Sequence, residues 1–446
     1  MIAPNTSVGK ADIFIVDNLP PEAVAMAQAL YSRSPKSVAI HLDKIAASGH
    51  EAFMGTYYVG YGHKSIGDCG STTLFIENVS MLAAKAIQDW KLYRGQEAST
   101  RYLDMSKQEV LNPLGTAAGA LIQQRWMDFY VRVLGIMQAE FRGRHPYEEG
   151  QDQQAYDKAI KAKAFDVARG FLPAGATTYV SWSTDLRQAA DHLANLRHHP
   201  LEEVRELAGG ITASLKEKYP SSFSHKLYPE QEEYRESHAG HYYDRELNAQ
   251  EQGFKQFGDV DLLRLLCVHG WDVLEKRPAR TELPAKLEKY GLINYQFPLD
   301  FGSFRDIQRH RNGVCEMPRL TTRHGFFQWY LDQLPTELLM DANLLIARQT
   351  AAIEALPTSD LYKQYYTAMG FTVACDVTYS IPQSVYVAEL RAGQTVHPTL
   401  RKVAQQIGQV LRQNLPRMAL YVDDGPEIWS VKRGTQDIVA KEPAAI

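Results

Sequence analysis

The sequence predicts a mixed α/β (α+β) protein made of two tandem copies of one fold, each a small sheet packed with helices. Three observations carry that expectation. First, "STTLFIENVSMLAAKAIQDW" (71–90) matches "GLINYQFPLDFGSFRDIQRH" (291–310) without a gap. Second, "LANLRHHPLEEVRELA" (193–208) matches "VAELRAGQTVHPTLRKVA" (387–404) with gaps, sharing Leu-Arg, His-Pro and Arg-x-x-Ala. Third, the two matches occur in the same order in both halves, which makes chance a poor explanation of either.

The elements follow in order. "TTLFIENV" and "LINYQFPL" read as half-buried strands, and each then shifts to helical spacing with small residues. "LIQQRWMDFYVRVLGIMQAEF" (121–141) and "ELLMDANLLIARQTAAIEAL" (337–356) read as long helices. Strands covered by helices give the fold class. The first repeat is placed at 1–220 and the second at 256–446, with 221–255 as a polar, charged linker of little periodicity. The first repeat also has a longer middle around 141–159. His225, His238 and His241 fall in the linker without nearby cysteines, so a solvated loop is expected there and no metal site.

A net charge of −4 offers no global positive field for nucleic acid or an anionic membrane, so anions must be met by local Arg and His clusters. Cys69, Cys267, Cys315 and Cys375 form no CxxC pattern, which suits a reducing compartment. The first residues, "MIAPNTSVGKADIF", show no basic-then-apolar leader, and no apolar run reaches membrane-span length, so a cytoplasmic protein is expected.

The repeats differ most where function is expected. "IQDWKLY" (87–93) stands where "IQRHRNG" (307–313) stands later, so only the second half carries Arg309-His310-Arg311. The first half carries "GHKSIGD" (62–68) and "GQEASTRYLD" (95–104) instead. Together these resemble the flavin-dependent thymidylate synthases, whose signature runs Arg-His-Arg-x-x-Ser-x-Asn-Glu-x-Ser-x-Arg-Tyr. Further matches are Arg169 before Leu172-Pro173, "STDLR" (183–187), "NLR" (195–197) and "EEVREL" (202–207). The first half has Asp89-Trp90-Lys91 for Arg-His-Arg but keeps Glu97, Ser99, Arg101 and Tyr102. In the second half Arg319 and Thr321 fall on the Ser and Arg positions, Tyr366 on that of Arg169, and Arg391 on the Leu-Arg pair.

What the resemblance implies is specific. The fold would be two copies of the flavin-dependent thymidylate synthase fold, in a homodimer imitating that family's tetramer. Family sites are shared between subunits, so one complementary site per chain would be built from both repeats. The reaction would be reductive methylation of dUMP, or a similar pyrimidine nucleotide, through FAD, with methylenetetrahydrofolate and NADPH as co-substrates. Glu97, Ser99, Thr100, Arg101 and Arg169 would bind the nucleotide, with Arg309 completing the phosphate cradle. Arg391, or as second choice Arg197, would lie against the uracil carbonyl edge. His310, Arg311, His63, Ser65, Asp68 and Arg187 would face the flavin, with Asp185 standing where the family has Asn. The runner-up readings are another C5 modification of a uridine nucleotide and a non-catalytic nucleotide-binding scaffold. Cys315, four residues after Arg311, reads as a buried bystander.

Overall fold

A computed structural model describes residues 6–8, 11–48, 64–224, 226–243, 253–258 and 260–436. Short strands β1 (Thr6–Val8) and β2 (Ala11–Ile13) precede helices α1 (Pro21–Tyr31) and α2 (Val38–Ser48). Then come β3 (Ser71–Ser80), α3 (Met81–Gln88), the long α4 (Ala117–Arg144), α5 (Gln153–Ala168), β4 (Thr177–Asp185), α6 (Leu186–Leu196) and α7 (Glu202–Lys218). After α8 (Pro229–Tyr243), β5 (Lys255–Phe257) and α9 (Leu262–His269), a similar order returns. It runs β6 (Leu292–Asp300), α10 (Phe301–Ile307), β7 (Val314–Glu316), α11 (Thr336–Glu354), β8 (Thr372–Ser380), α12 (Ile381–Arg391) and α13 (Pro398–Asn414). The mixed class read from the sequence is the class observed.

The recurrence extends to how the helices start. Ser80 caps α3 by accepting the Ala83 N–H, and Asp300 caps α10 by accepting the Ser303 N–H. Asp185 and Ser380 do the same for α6 and α12. Each side-chain oxygen satisfies one of the donors a helix start leaves open.

The chain packs as two compact units that do not follow the sequence halves. One holds residues 1–77, 92–97 and 179–244; the other holds 78–91, 98–178 and 245–446. In the first unit, Ala23, Met26, Leu42, Ile45 and Ile66 form the core between α1, α2 and the turn at Lys64–Cys69. The segment 92–97 runs beside β4, with Arg94 bridging Ser183 and Glu97 bridging Val180.

In the second unit, β5, β6, β8 and β7 form an antiparallel sheet in that order, with Leu292 opposite Ser380 and Asp300 opposite Thr372. Burial alternates along β6 and β8 up to their last residues, Asp300 and Ser380, which are buried as well. Ile293, Tyr295, Phe297 and Leu299 face inward with Val373, Cys375, Val377 and Tyr379, the period of a half-buried strand.

Two equivalent stretches meet in this unit. Arg169–Phe171 and Gln364–Tyr366 are 3-10 turns placed identically before β4 and β8. Ala174 N–H donates to Thr367 O at 2.9 Å, and Met369 N–H donates to Leu172 O at 2.8 Å. Gly175 N–H donates to Tyr365 O at 2.9 Å, and Gly370 N–H to Gly170 O at 2.7 Å. Pro173 pairs with Ala368. Moving one stretch onto the other carries every one of these contacts into its reciprocal, the pattern of a two-fold interface. The same superposition puts Gln364, not Tyr366, opposite Arg169. The sequence matching had slipped by two positions where the turn carries no shared residue.

The polar stretch read as an aperiodic linker also differs. It contains the fifteen-residue helix α8.

Candidate functional site

Helix α10 ends at Ile307, and Gln308 leads into the cationic turn Arg309-His310-Arg311. Arg391, the last residue of α12, donates from Nε to His310 Nε2 at 2.7 Å and from Nη2 to Asp306 O at 2.9 Å. Burial, reinforced by Arg391, pushes His310 down to about 3, so its ring is neutral at neutral pH. With Nε2 accepting, its proton sits on Nδ1. Burial lowers Arg391 as well, with Arg309 and Arg101 adding repulsion against the attraction of Asp306.

Asp306 is the hub. Burial alone would raise its carboxyl, but Arg309, Arg169, Arg391 and Arg101 together hold it well below the usual range. Arg101 of the first half's "EASTRY" and Arg309 of the second half's "QRHR" therefore act on one carboxylate, inside one unit.

The supporting shell is a buried ionic network. Arg101 donates to Asp166 from Nε at 2.7 Å and from Nη2 at 3.1 Å, and to Thr395 O at 3.0 Å. Arg433 forks onto the same carboxylate. Arg169, expected beside a phosphate, is only 1% exposed: Nη2 donates to Ser303 Oγ at 2.7 Å, with Asp300 at 3.7 Å and Asp306 at 3.5 Å. It anchors the site from behind. Asp300 also accepts from Tyr330 and Thr399, and His397 lies against Ser303, Thr399 and the Asp166 carbonyl. Burial lowers His397 to about 3, so it too is neutral.

The charges do not balance locally. Asp166 is matched by Arg101 and Arg433, and Asp300 and Asp306 flank Arg169. Arg391 donates only to neutral acceptors in the hydrogen bonds given above, and Arg309 Nε is buried with no hydrogen-bond partner among the described residues. The surplus is positive at Arg309 and Arg391, the condition for holding an anion.

Other expected residues lie in the first unit. Arg187 is ion-paired with Asp68 and reaches Asp191 at 3.8 Å. Asp185, standing where the family has Asn, is the cap of α6. Arg197 donates to both oxygens of Glu232 at 2.6 Å. Glu97 is buried, Ser65 is exposed, and His63 lies outside the described residues. In the second unit Ser99 Oγ accepts the Arg101 N–H at 3.3 Å beside the buried Thr100. Cys315 is raised strongly, first by burial and then by Asp89, which makes it an unreactive thiol. Among the described residues no group of three or more His, Cys, Asp or Glu is arranged to hold a metal, and no helix is long and apolar enough to cross a membrane.

Residues 15–221 match the family model described as thymidylate synthase complementing protein. The alignments to curated relatives span far more than the matched segment. A UPF0159 protein of Chlamydia pneumoniae is 23% identical over 412 residues, covering 77% of this chain and 75% of its own. One from Chlamydia muridarum is 24% identical over 416 residues, covering 80% and 77%. One from Thermoplasma acidophilum is 22% identical over 451 residues, covering 84% and 89%. Each alignment is longer than either sequence half, so the likeness runs through both.

The family signature had pointed to arginines and missed their carboxylates. A sequence signal existed: Asp166 stands three residues before Arg169, and Asp306 three before Arg309. In each case the Asp lies in the last turn of a helix and the Arg just past its end.

Proposed function

We propose that this protein is a flavin-dependent thymidylate synthase, converting dUMP to dTMP with methylenetetrahydrofolate and NADPH through FAD, at one composite site per chain. The observation that carries the reading is the convergence of Arg101, Arg309 and Arg391 on Asp306, one arginine from the first half's motif and two from the second's. In this reading the two halves are copies, each keeping what the other has lost.

The residues fit an anionic ligand at Arg309 and Arg391, where the uncompensated charge and the unpaired Arg309 Nε lie. They do not offer Arg187 in the same way, since Asp68 and Asp191 engage it. Bound FAD would supply the two-electron and one-carbon carrier. The chain's own residues do the rest. Arg309 binds the nucleotide phosphate, with the Ser99–Arg101 turn beside it. Arg391 faces the uracil carbonyl edge and favours negative charge on the ring oxygen as C5 becomes nucleophilic. Neutral His310 holds Arg391 in place and keeps its own proton on Nδ1. Arg169 and Asp306 fix the geometry from inside.

The non-catalytic scaffold is the second reading, favoured by one observation: Arg101 already has Asp166 and Thr395 O as internal partners. A visible absorption spectrum with FAD, before and after dUMP, separates the two. A flavin band that shifts with dUMP, is lost in R101A and R309A, and persists in K91A supports the synthase. Each arginine should cost roughly 10- to 100-fold in nucleotide affinity, the size of a charge-assisted hydrogen bond. Lys91 is exposed and stands at the position of Arg311, so equal losses at all three would mean two working sites.

A further inference from the structure

A cavity of about 370 Å³ opens among α6, α7 and α8, within the first unit. Among the described residues five cationic side chains line it, including Arg197, Lys216, Lys226 and Arg235, against two carboxylates, Asp191 and Glu232. Asp191 reaches toward Arg187. Glu232 is met as a ligand is met. Both its oxygens accept from Arg197 at 2.6 Å, Arg235 Nη1 donates at 2.8 Å, and His198 Nε2 lies at 2.9 Å. A planar fork with two flanking donors is the arrangement that suits a phosphate as well as a carboxylate. Although burial opposes it, these partners hold the Glu232 carboxyl at about 2.

Among its described side chains, the helix carrying Glu232 has few other holds. Among the α8 side chains that the structure describes, Glu233, Tyr234, Glu236, Ser237 and His238 are exposed and Ala239 is buried. The attachment made by these described residues is mostly ionic, and ion pairs of this exposure are modest and sensitive to competing anions.

We propose that this cavity is an anion site for a phosphate-bearing ligand, and that Glu232 is its built-in competitor, a carboxylate of the chain itself standing where the phosphate goes. When phosphate takes Arg197, Glu232 leaves and α8 is released. The site does not depend on the synthase reading, and its residues all lie in the other unit from Arg309 and Arg391.

The test is hydrogen exchange of the α8 amides in the full chain during titration with inorganic phosphate, at ionic strength matched with chloride. In the unmodified protein exchange should rise saturably with phosphate. In E232Q it should already be high, and phosphate should bind about tenfold tighter, the loss of one charge-assisted competitor. In R197A the saturable response should vanish, while in R309A it should persist. The same titration with dUMP decides whether a nucleotide or only free phosphate is admitted. The proposal is overturned if phosphate does no more than matched chloride, if α8 in E232Q stays as protected as before, or if R309A abolishes the response.

Discussion

Asp166 shows how much rests on one carboxylate. Arg101 and Arg433 both fork onto it, and it is nearly inaccessible to solvent. Replacing it by Asn leaves two guanidiniums without their counter-charge, so Asp166→Asn should destabilise the protein by about 3–5 kcal/mol, read by denaturant unfolding at neutral pH. Burial would raise the Asp166 carboxyl, yet the two arginines hold it well below its ordinary value. Its contribution is thus present above the unfolded-state value of about 3.9 and is lost as pH falls through the lower folded value. Stability of the unmodified protein should fall in acid, and the Asn variant should fall less steeply; parallel profiles would show that another group controls the acid limb. The sequence singled out these arginines because their motif is a fixed string. Their carboxylates were not, because a single Asp in a helix reads the same whether it faces water or a buried guanidinium.

At the level of elements, the strands and long helices were legible because their burial follows period two and period 3.6. Helix α8 was not. "PEQEEYRESHAGHYY" is polar nearly all round and has no apolar stripe to announce itself. Among its described residues the support is largely ionic, the Glu232–Arg235 pair one turn apart and the bond to Arg197. The reciprocal turn before β4 and β8 was equally hidden, since it is made by backbone groups. Its glycines are exposed to a sharp test. A Cβ on Gly175 would stand 2.7 Å from Tyr365 O, and one on Gly370 would stand 2.7 Å from Gly170 O. Gly175→Ala and Gly370→Ala should each cost about 1–3 kcal/mol, the range for forced overpacking. Similar midpoint losses in thermal unfolding are expected, because the two positions make the same contact; a loss at only one would show that the turns are not energetically equivalent.

For the whole molecule, the decisive fact is that the second unit takes 78–91 and 98–178 from the first half and 245–446 from the rest. Neither half of the sequence contains a complete version of it. Fragments 1–220 and 221–446 expressed separately should lack a cooperative unfolding transition, and co-expression should restore a complex with one. Two fragments that each unfold sharply by themselves would contradict this. The sequence could place similar stretches along the chain but not how the packed units draw on both halves, because similarity is read along the chain and packing records contact.

The reciprocal turn at Pro173 and Ala368 has a further consequence, in the accounting of genetic change. When two identical subunits meet across a dyad, one codon alters both sides at once, so no substitution can favour one side alone. Here the two sides are encoded separately. Arg169 can face Gln364, Ser80 can face Asp300, and a lysine can replace an arginine at position 91 while position 311 keeps it. Each side of the interface is free to be selected for a different task.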